Sequence, residues 1–424
     1  MLAQSLRLVA LLAFVVLRAA PAFATQVASG THGAVAADHR LASEAGIEIL
    51  RSGGNAVDAA VAASLVIGVV NPSSAGLGGG GFMVVYNSVD GRAHAIDYRE
   101  RAPAAATPDM YQVDGVAPRA SRRGGLAVAV PGEAAGLEFV LSRFGTMDMA
   151  AVAAPAIRLA EQGFEVEAHL AERIDALRQQ LAQEASLAAG FLHTDGSPYR
   201  QGETLRRPDL ARTLRILARR GAGEFYEGEI AEDLVTAVRR SGGLLSRQDL
   251  ADYRVLERKP LIASYRGMSV IGMPPPSSGG ATIAATLNVL SGYRLADLGP
   301  NSTTYLHLLI ETFKAVFADR AAWYGDPDFV TVPLERLVSM QHALEIRRGL
   351  SAIRPAPPDR YGRTITRDDA GTTHVSVLDV NGNAVACTTS INTAFGSMVA
   401  VPGRGLILNN TMDDFSARPG VPNV

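Results

Sequence analysis

Two β-hairpins, written into the chain far apart, constrain its fold more than any other feature. Residues 82–86 (FMVVY) and 93–98 are short apolar runs on either side of a turn at Asp90-Gly91. Residues 375–380 (VSVLDV) and 384–390 (AVACTTS) flank Asn381-Gly382. Asn-Gly between two such runs predicts a tight hairpin with both turn residues at positive φ. Hairpins pair antiparallel and need no crossover helix, which argues against a parallel α/β sheet. Between them, residues 133–350 carry mostly helical patterns, among them 150–162, 166–184 and 305–323. The class read from this order is α+β.

The segment before the first hairpin is helical. Residues 41–50 have helical spacing and are stopped by Gly53-Gly54. Asn55 stands where an N-cap belongs, ahead of the alanine-rich run 56–70. The run Gly76-Leu77-Gly78-Gly79-Gly80-Gly81 contains G-x-G-x-x-G, but it precedes a strand instead of opening a helix. That context excludes a dinucleotide loop and predicts close backbone packing or a tight turn. Met273-Pro274-Pro275-Pro276-Ser277-Ser278-Gly279-Gly280 reads as a rigid connector into a helix near Ala281. Residues 354–369, rich in Pro, Arg and Asp, read as an exposed loop.

Composition narrows the function classes. The 424 residues carry 40 Lys+Arg against 42 Asp+Glu, a net charge of -2, which gives no electrostatic reason to expect nucleic acid as a partner. One cysteine, Cys387, permits neither an internal disulfide nor a cysteine-built zinc site, and a buried strand position suits it as a small apolar filler. The histidines show no metal spacing, no redox or nucleotide cofactor is indicated, and there is no G-x-S-x-G elbow. Residues 1–24 read as a secretory signal peptide, with Arg7, an apolar core at 8–17 and Ala22-Phe23-Ala24 before the cut. The apolar core is too short to span a bilayer, so no stable membrane anchor is expected. Export without a disulfide fits a bacterial periplasmic or secreted protein.

The candidate chemistry lies at Gly371-Thr372-Thr373-His374, at the start of a strand and just after the exposed loop. Taken alone, two threonines before a strand read as ordinary β-formers, and it is the context that raises a second reading. A threonine hydroxyl is a weak nucleophile. It gains a base of its own if the chain is cut just before it, because a free α-amino group has a pKa of about 7.7–8.0. Gly371 leaves the carbonyl before such a cut uncrowded.

The chain resembles the γ-glutamyltransferase (γ-glutamyl transpeptidase) family of N-terminal-nucleophile hydrolases. The likeness runs in order through GGNAVDAAVAASLVIGVVNPSSAGLGGGGFMVVY at 53–86 and DYRERAPAAATPDMY at 97–111. It continues through MPPPSSGG at 273–280, ADRAAWYGDPDFVTVP at 318–333, TTHVSVLDVNGNAVACTTSINTAFG at 372–396 and LNNTMDDFSARPGVPNV at 408–424. It implies a four-layer αββα sandwich forming one structural domain, and a precursor that cuts itself into a large subunit, 25–371, and a small one beginning at Thr372. Thr372 then matches the nucleophile that forms a γ-glutamyl ester. Arg99 matches the arginine that holds the substrate α-carboxylate, a task suited to a fixed bidentate cation. Asp414 matches the carboxylate on the α-ammonium, and Asn392 a pocket asparagine. By residue chemistry alone, each of Arg99, Asn392 and Asp414 also fits a surface ion pair or a turn, and for Arg99 and Asn392 that is the better reading.

Three positions depart from the family pattern. Ser390 stands where threonine is usual near the nucleophile, keeping the hydroxyl. Thr411 stands where Gln or Glu commonly helps hold the substrate ammonium. Val424 falls inside a matching segment, so the small subunit and the sandwich are expected to be incomplete at the C-terminus. The implied activity is self-processing hydrolysis or transfer of γ-glutamyl groups from glutathione and related amides to water, amino acids or peptides. An acylase of glutaryl or other acyl amides, and a homologue that binds without turnover, are the alternatives.

Overall fold

The computed structural model describes residues 29–117, 119–357, 360–361 and 371–415. Its strands and helices all belong to the compact unit Gly33–Val424. The leader at 1–24 and most of the loop before Gly371 lie outside the described residues.

Six strands form one antiparallel sheet: β1 (Gly33–Ala37), β2 (Gly80–Asn87), β3 (Arg92–Tyr98), β4 (Leu256–Arg258), β7 (Gly371–Asp379) and β8 (Ala384–Asn392). Their order is β1-β7-β8-β2-β3-β4. The two hairpins read from the sequence therefore lie side by side at its centre. Between β4 and β7 a separate hairpin, β5 (Leu261–Tyr265) and β6 (Met268–Gly272), forms its own small sheet.

One sheet face is buried by helices. Met83, Val85, Ile96, Tyr98, Val375, Val377, Val385 and Cys387 alternate inward and are all at most 4% exposed. The first cover is α1 (Arg40–Arg51), α2 (Ala56–Val70) and α3 (Glu133–Phe144). Helix α2 lies against β7 and β8, and α3 against β2 and β3. A second tier, α4 (Met149–Gln162) and α5 (Pro208–Arg220), packs behind them. The opposite face carries Thr372, His374, Ser376 and Leu378, all exposed. The α+β class stands, and of the four expected layers the described residues hold this sheet and its helical cover.

Helix α2 shows why the local reading works. It is buried on every side except Gly68, as an apolar helix inside a core must be. Asn55 caps it by accepting from Val57 and Asp58 N–H, and Asp58 returns a bond to Asn55 N–H. The fully buried Asp58 also accepts from Thr146 and Met147, so its charge is satisfied. The glycine run packs closely, as expected: a Cβ on Gly79 would lie 2.0 Å from the Ser390 carbonyl oxygen.

Three local expectations need correction. Residues 166–184 are not one helix. Val166 N–H pairs with Glu203 O beside the short strands Phe164–Glu165 and Thr204–Leu205, and helix begins only at Ala168–Ala176 and Arg178–Leu181. The turn at Asn381-Gly382 is not a two-residue turn, for only Gly382 has positive φ (83°). Asp379 there accepts from the N–H groups of Asn381 and Asn383 and from the Asn383 side chain, which holds a wider loop. The tight turn lies instead at Arg266 (φ 51°) and Gly267 (φ 82°), in the β5–β6 hairpin that the helical reading of 133–350 missed. Alternation in LIASY and the Arg-Gly pair were its signals.

Among the described residues no helix is long and apolar enough to cross a membrane.

Candidate active site

Register brings the predicted nucleophile to its neighbours. Thr372 is the second residue of β7, on the exposed face, and Ser390 of β8 is its Cα partner. Their hydroxyl oxygens are 3.0 Å apart. Ser390 Oγ donates to the Gly371 carbonyl oxygen at 2.9 Å and accepts from Asn392 N–H at 2.8 Å. A serine hydroxyl offers one proton and two lone pairs. With the proton given to Gly371 and one lone pair taken by Asn392, the other is left for the Thr372 proton. One side chain thus joins the hydroxyl of Thr372 to the carbonyl just before it.

The Asn392 N–H is placed by a bulge. The β7–β8 register shifts between Ser390 and Asn392, so that Asn392 faces Gly371. Asn392 takes φ 76°, which asparagine tolerates better than most residues. Its side chain donates to Asn410 O at 3.0 Å, while Asn410 Oδ1 accepts from Thr393 N–H at 3.0 Å. Asn409 donates to Gly78 O and Ala129 O and accepts from Ala129 N–H, tying this segment to the glycine run. The fully buried pair Asn409-Asn410 is therefore the frame of the site. In the sequence the pair stands out only as part of a motif, with no role of its own.

Arg99 follows the end of β3 and Asp414 ends the short helical turn Thr411–Asp414. They form an ion pair in which each side chain stays about one third exposed, at 34% and 33%. Burial pulls the Arg99 pKa down, but Asp414 and Glu100 outweigh it and the net shift is upward. The Arg99 guanidinium also sits over the Phe82 ring, 5.9 Å from its centre. The neighbouring Asp413 is fixed differently, accepting from Ser121 and Arg122.

Two buried carboxyl groups were not singled out in the sequence. Glu100 is 9% exposed and accepts from the Thr411 hydroxyl at 2.9 Å. Burial raises its pKa, opposed mainly by the charge of Arg99. Glu133 opens α3 behind the sheet, where burial pushes its pKa up to about 8. The neighbouring Thr389 hydroxyl opposes that rise in part, and the Thr373 hydroxyl is buried without a hydrogen-bond partner among the described residues. Cys387 lies nearby against Ser64 and Tyr98, and burial pushes its thiol up to about 12.

With this geometry in hand, comparison with known proteins is decisive. The family described as Gamma-glutamyltranspeptidase matches residues 42–424. The chain belongs to the gamma-glutamyltranspeptidase family. It is 40% identical over 396 residues to the glutathione hydrolase proenzyme of Escherichia coli (strain K12), covering 92% of this chain and 68% of that one. It is 42% identical over 401 residues to the acylase ACY 1 proenzyme of Pseudomonas sp. (strain V22), covering 93% and 71%. The crystal structure of Helicobacter pylori gamma-glutamyltranspeptidase superposes with a TM-score of 0.76 at 35% identity, over 81% of this chain and 100% of that one. Both gamma-glutamyltranspeptidase-type hydrolases and acylases thus stand close to this family member.

Proposed function

We propose that this chain cuts itself between Gly371 and Thr372 and then hydrolyses or transfers γ-glutamyl groups. The observation that carries the reading is the Ser390 hydroxyl, which touches both the Thr372 oxygen and the Gly371 carbonyl.

In the first reaction, Thr372 Oγ1 attacks the Gly371 carbonyl carbon. The developing oxyanion is stabilised by the proton Ser390 already directs at that oxygen. The C–N bond breaks, the Thr372 nitrogen leaves as an amine with the proton that Oγ1 gives up on attack, and the acyl group passes to Oγ1 as an ester. Water cleaves the ester to give a Gly371 carboxylate, a free Thr372 hydroxyl and a new α-amino group. A large subunit, 25–371 after removal of the leader at 1–24, and a small subunit starting at Thr372 result.

In the second reaction the α-amino group takes the proton from Thr372 Oγ1 as it attacks the γ-carbonyl of glutathione or a related amide. The donor's amine leaves with a proton, and water or the amine of an amino acid or peptide resolves the γ-glutamyl ester. Arg99 binds the substrate α-carboxylate and Asp414 its α-ammonium, so the zwitterion replaces the ion pair these two make with each other. Asn392 shapes the pocket through its bond to Asn410. The leader supports export to the periplasm or medium without a stable membrane anchor, and the balanced charge gives nucleic acid no role.

The test is intact-mass analysis and N-terminal sequencing of the purified chain, with a γ-glutamyl anilide assay. A new N-terminus at Thr372 and release of the aniline are expected. A soluble, folded chain that stays uncut and shows no turnover would sink the proposal. A second reading, cleavage of glutaryl amides, is supported by the 42% identity to an acylase proenzyme. Glutaryl and γ-glutamyl anilides, which differ by one ammonium, separate the two.

A further inference from the structure

We propose that Glu133, buried behind the sheet, is a positioning residue for the nucleophile, acting through Thr389 and Thr373 on the strand ends that carry Ser390 and Thr372. This rests on the reading of Thr372 as the residue that attacks.

The helix-covered face of the sheet is mostly apolar, but directly behind Thr372 and Ser390 it turns polar. Thr373, Thr389, Ser64 and Glu133 are all at most 3% exposed. Thr373 and Thr389 are Cα partners across β7 and β8, and they adjoin Thr372 and Ser390 along the chain. On its other side Thr389 pairs with Gly81 of β2, which puts no side chain between Thr389 and the helix layer. Helix α3 lies against β2, and Glu133 is its first residue. That first turn is tied to the strand as well. The N–H groups of Gly132 and Glu133 both donate to Gly79 O, at 2.9 and 3.0 Å, and Gly79 packs against the Ser390 carbonyl. Backbone and side chain of Glu133 thus both bear on the end of β8 that carries Ser390.

The chemistry around Glu133 decides what it does there. The ionisable groups that face it from other elements are Glu100, Tyr98, Cys387 and Tyr226, and none of these is a cation. They give a carboxylate no compensation, and burial keeps the proton on the acid up to about pH 8. The neutral acid has a proton to give, and the Thr389 hydroxyl is its neighbour. A satisfied buried pair of this kind rigidifies what it joins. Thr373 has no hydrogen-bond partner among the described residues, so its place depends on packing against Thr389 across the strands. Ionisation would leave a charge in the core, which is costly unless water enters or Thr389 moves. Either change disturbs the strand ends that set the 3.0 Å contact between Thr372 and Ser390. The nucleophile is therefore best placed while Glu133 keeps its proton.

The experiment follows self-cleavage of the full chain by intact mass at about pH 7 to 9.5, for the unaltered chain, Glu133→Gln and Glu133→Leu, with circular dichroism at each pH. The amide reproduces the neutral acid, can donate to Thr389 and cannot ionise; leucine supplies bulk alone. At neutral pH the glutamine variant is expected to be cut about tenfold faster than the leucine variant, the worth of one buried hydrogen bond. Across the pH range, the rate ratio of Glu133→Gln to the unaltered chain should grow by about tenfold or more, following the loss of one proton. A constant ratio, or equal rates for the glutamine and leucine variants, would overturn the proposal, since a merely structural role does not make the folded chain's rate read this proton. If Glu133→Gln does not fold, Thr389→Val removes the hydroxyl through which Glu133 acts: a several-fold slower cut at neutral pH is expected, and an unaltered rate refutes. Hydrogen exchange, corrected for its intrinsic pH dependence, asks the same question without activity. Segments 371–379 and 384–392 should lose protection as pH rises past 8 in the unaltered chain and keep it in Glu133→Gln, with 40–51 alike in both; equal protection in the two chains refutes. That loss in a chain that never cuts would leave this inference standing and remove the proposed activity. Cutting whose rate and exchange ignore Glu133 would do the reverse.

Discussion

Replacing Ser390 with alanine tests the self-cleavage geometry at its centre. The hydroxyl contacts Thr372 Oγ1 at 3.0 Å, the Gly371 oxygen at 2.9 Å and Asn392 N–H at 2.8 Å. Only the bond to the Gly371 oxygen strengthens as the carbonyl becomes an oxyanion. Losing one such donor typically costs about 10²–10³ in rate. The stability cost is separate. Removing the hydroxyl strands one N–H and one carbonyl, about 1–3 kcal/mol if no water reached them. Ser390 is only half-buried, so water replaces part of that and the value falls at the low end. Ser390→Ala therefore stays folded but is cut about a hundredfold or more slowly, while Ser390→Thr, which keeps the hydroxyl, is cut at nearly the unaltered rate. The assay follows the uncut mass and the new Thr372 N-terminus over time at fixed pH, with circular dichroism and thermal midpoint as folding controls. Cleavage of folded Ser390→Ala within about threefold of the unaltered rate would refute the assignment of Ser390 as the oxyanion donor. Equal slowing in Ser390→Thr would show that shape, not the hydroxyl, matters.

The substrate end, the buried acid and the lone thiol can each be probed separately. Arg99→Lys keeps a charge but loses the planar fork that grips a carboxylate, so KM for γ-glutamyl anilide rises about tenfold or more with kcat less changed. An unchanged KM would detach Arg99 from the substrate. Glu133 gives a pH signature. Its carboxyl ionises at about 8 in the fold against an ordinary 4.5, so between those values the folded chain keeps a proton that the unfolded chain has released. Its contribution is fully present below the lower value and is lost as pH rises towards the higher, by up to ~1.4 kcal/mol per unit. Denaturant titrations across this window should show the decline in the unaltered chain and a flatter profile in Glu133→Gln; matching profiles would contradict it. Cys387, fully buried and with its thiol pushed up to about 12, should resist iodoacetamide at mild pH in the native chain and react once unfolded. Rapid native labelling would show that the strand opens.

What the sequence determined by itself is what short stretches of chain decide. The cap at Asn55 and the helix Ala56–Val70 depend on residues within one turn of each other. The strand pairs around Asp90-Gly91 and Asn381-Gly382 depend on alternation and nearby turn residues. The motif at Gly371-Thr372, together with its ordered neighbours, was enough to indicate the family. Where local rules failed, a partner from elsewhere competed. Glu203 drew Val166 out of a helix, and the Asp379 side chain, which also caps Ala56 N–H at 3.0 Å, widened a turn.

Tertiary structure alone decided how the site is assembled. Arg99 and Asp414 lie 315 positions apart and meet only because β3 ends beside the Thr411–Asp414 turn. Glu100 and Thr411, 311 positions apart, meet for the same reason. That Ser390 bridges Thr372 and Gly371 depends on the β7–β8 register and on a bulge one residue further along. A register slip of one residue would turn either hydroxyl to the other face. Burial likewise separates Glu100 from the many exposed glutamates of the chain. Its environment is set by what folds over it, and no spacing along the chain encodes that.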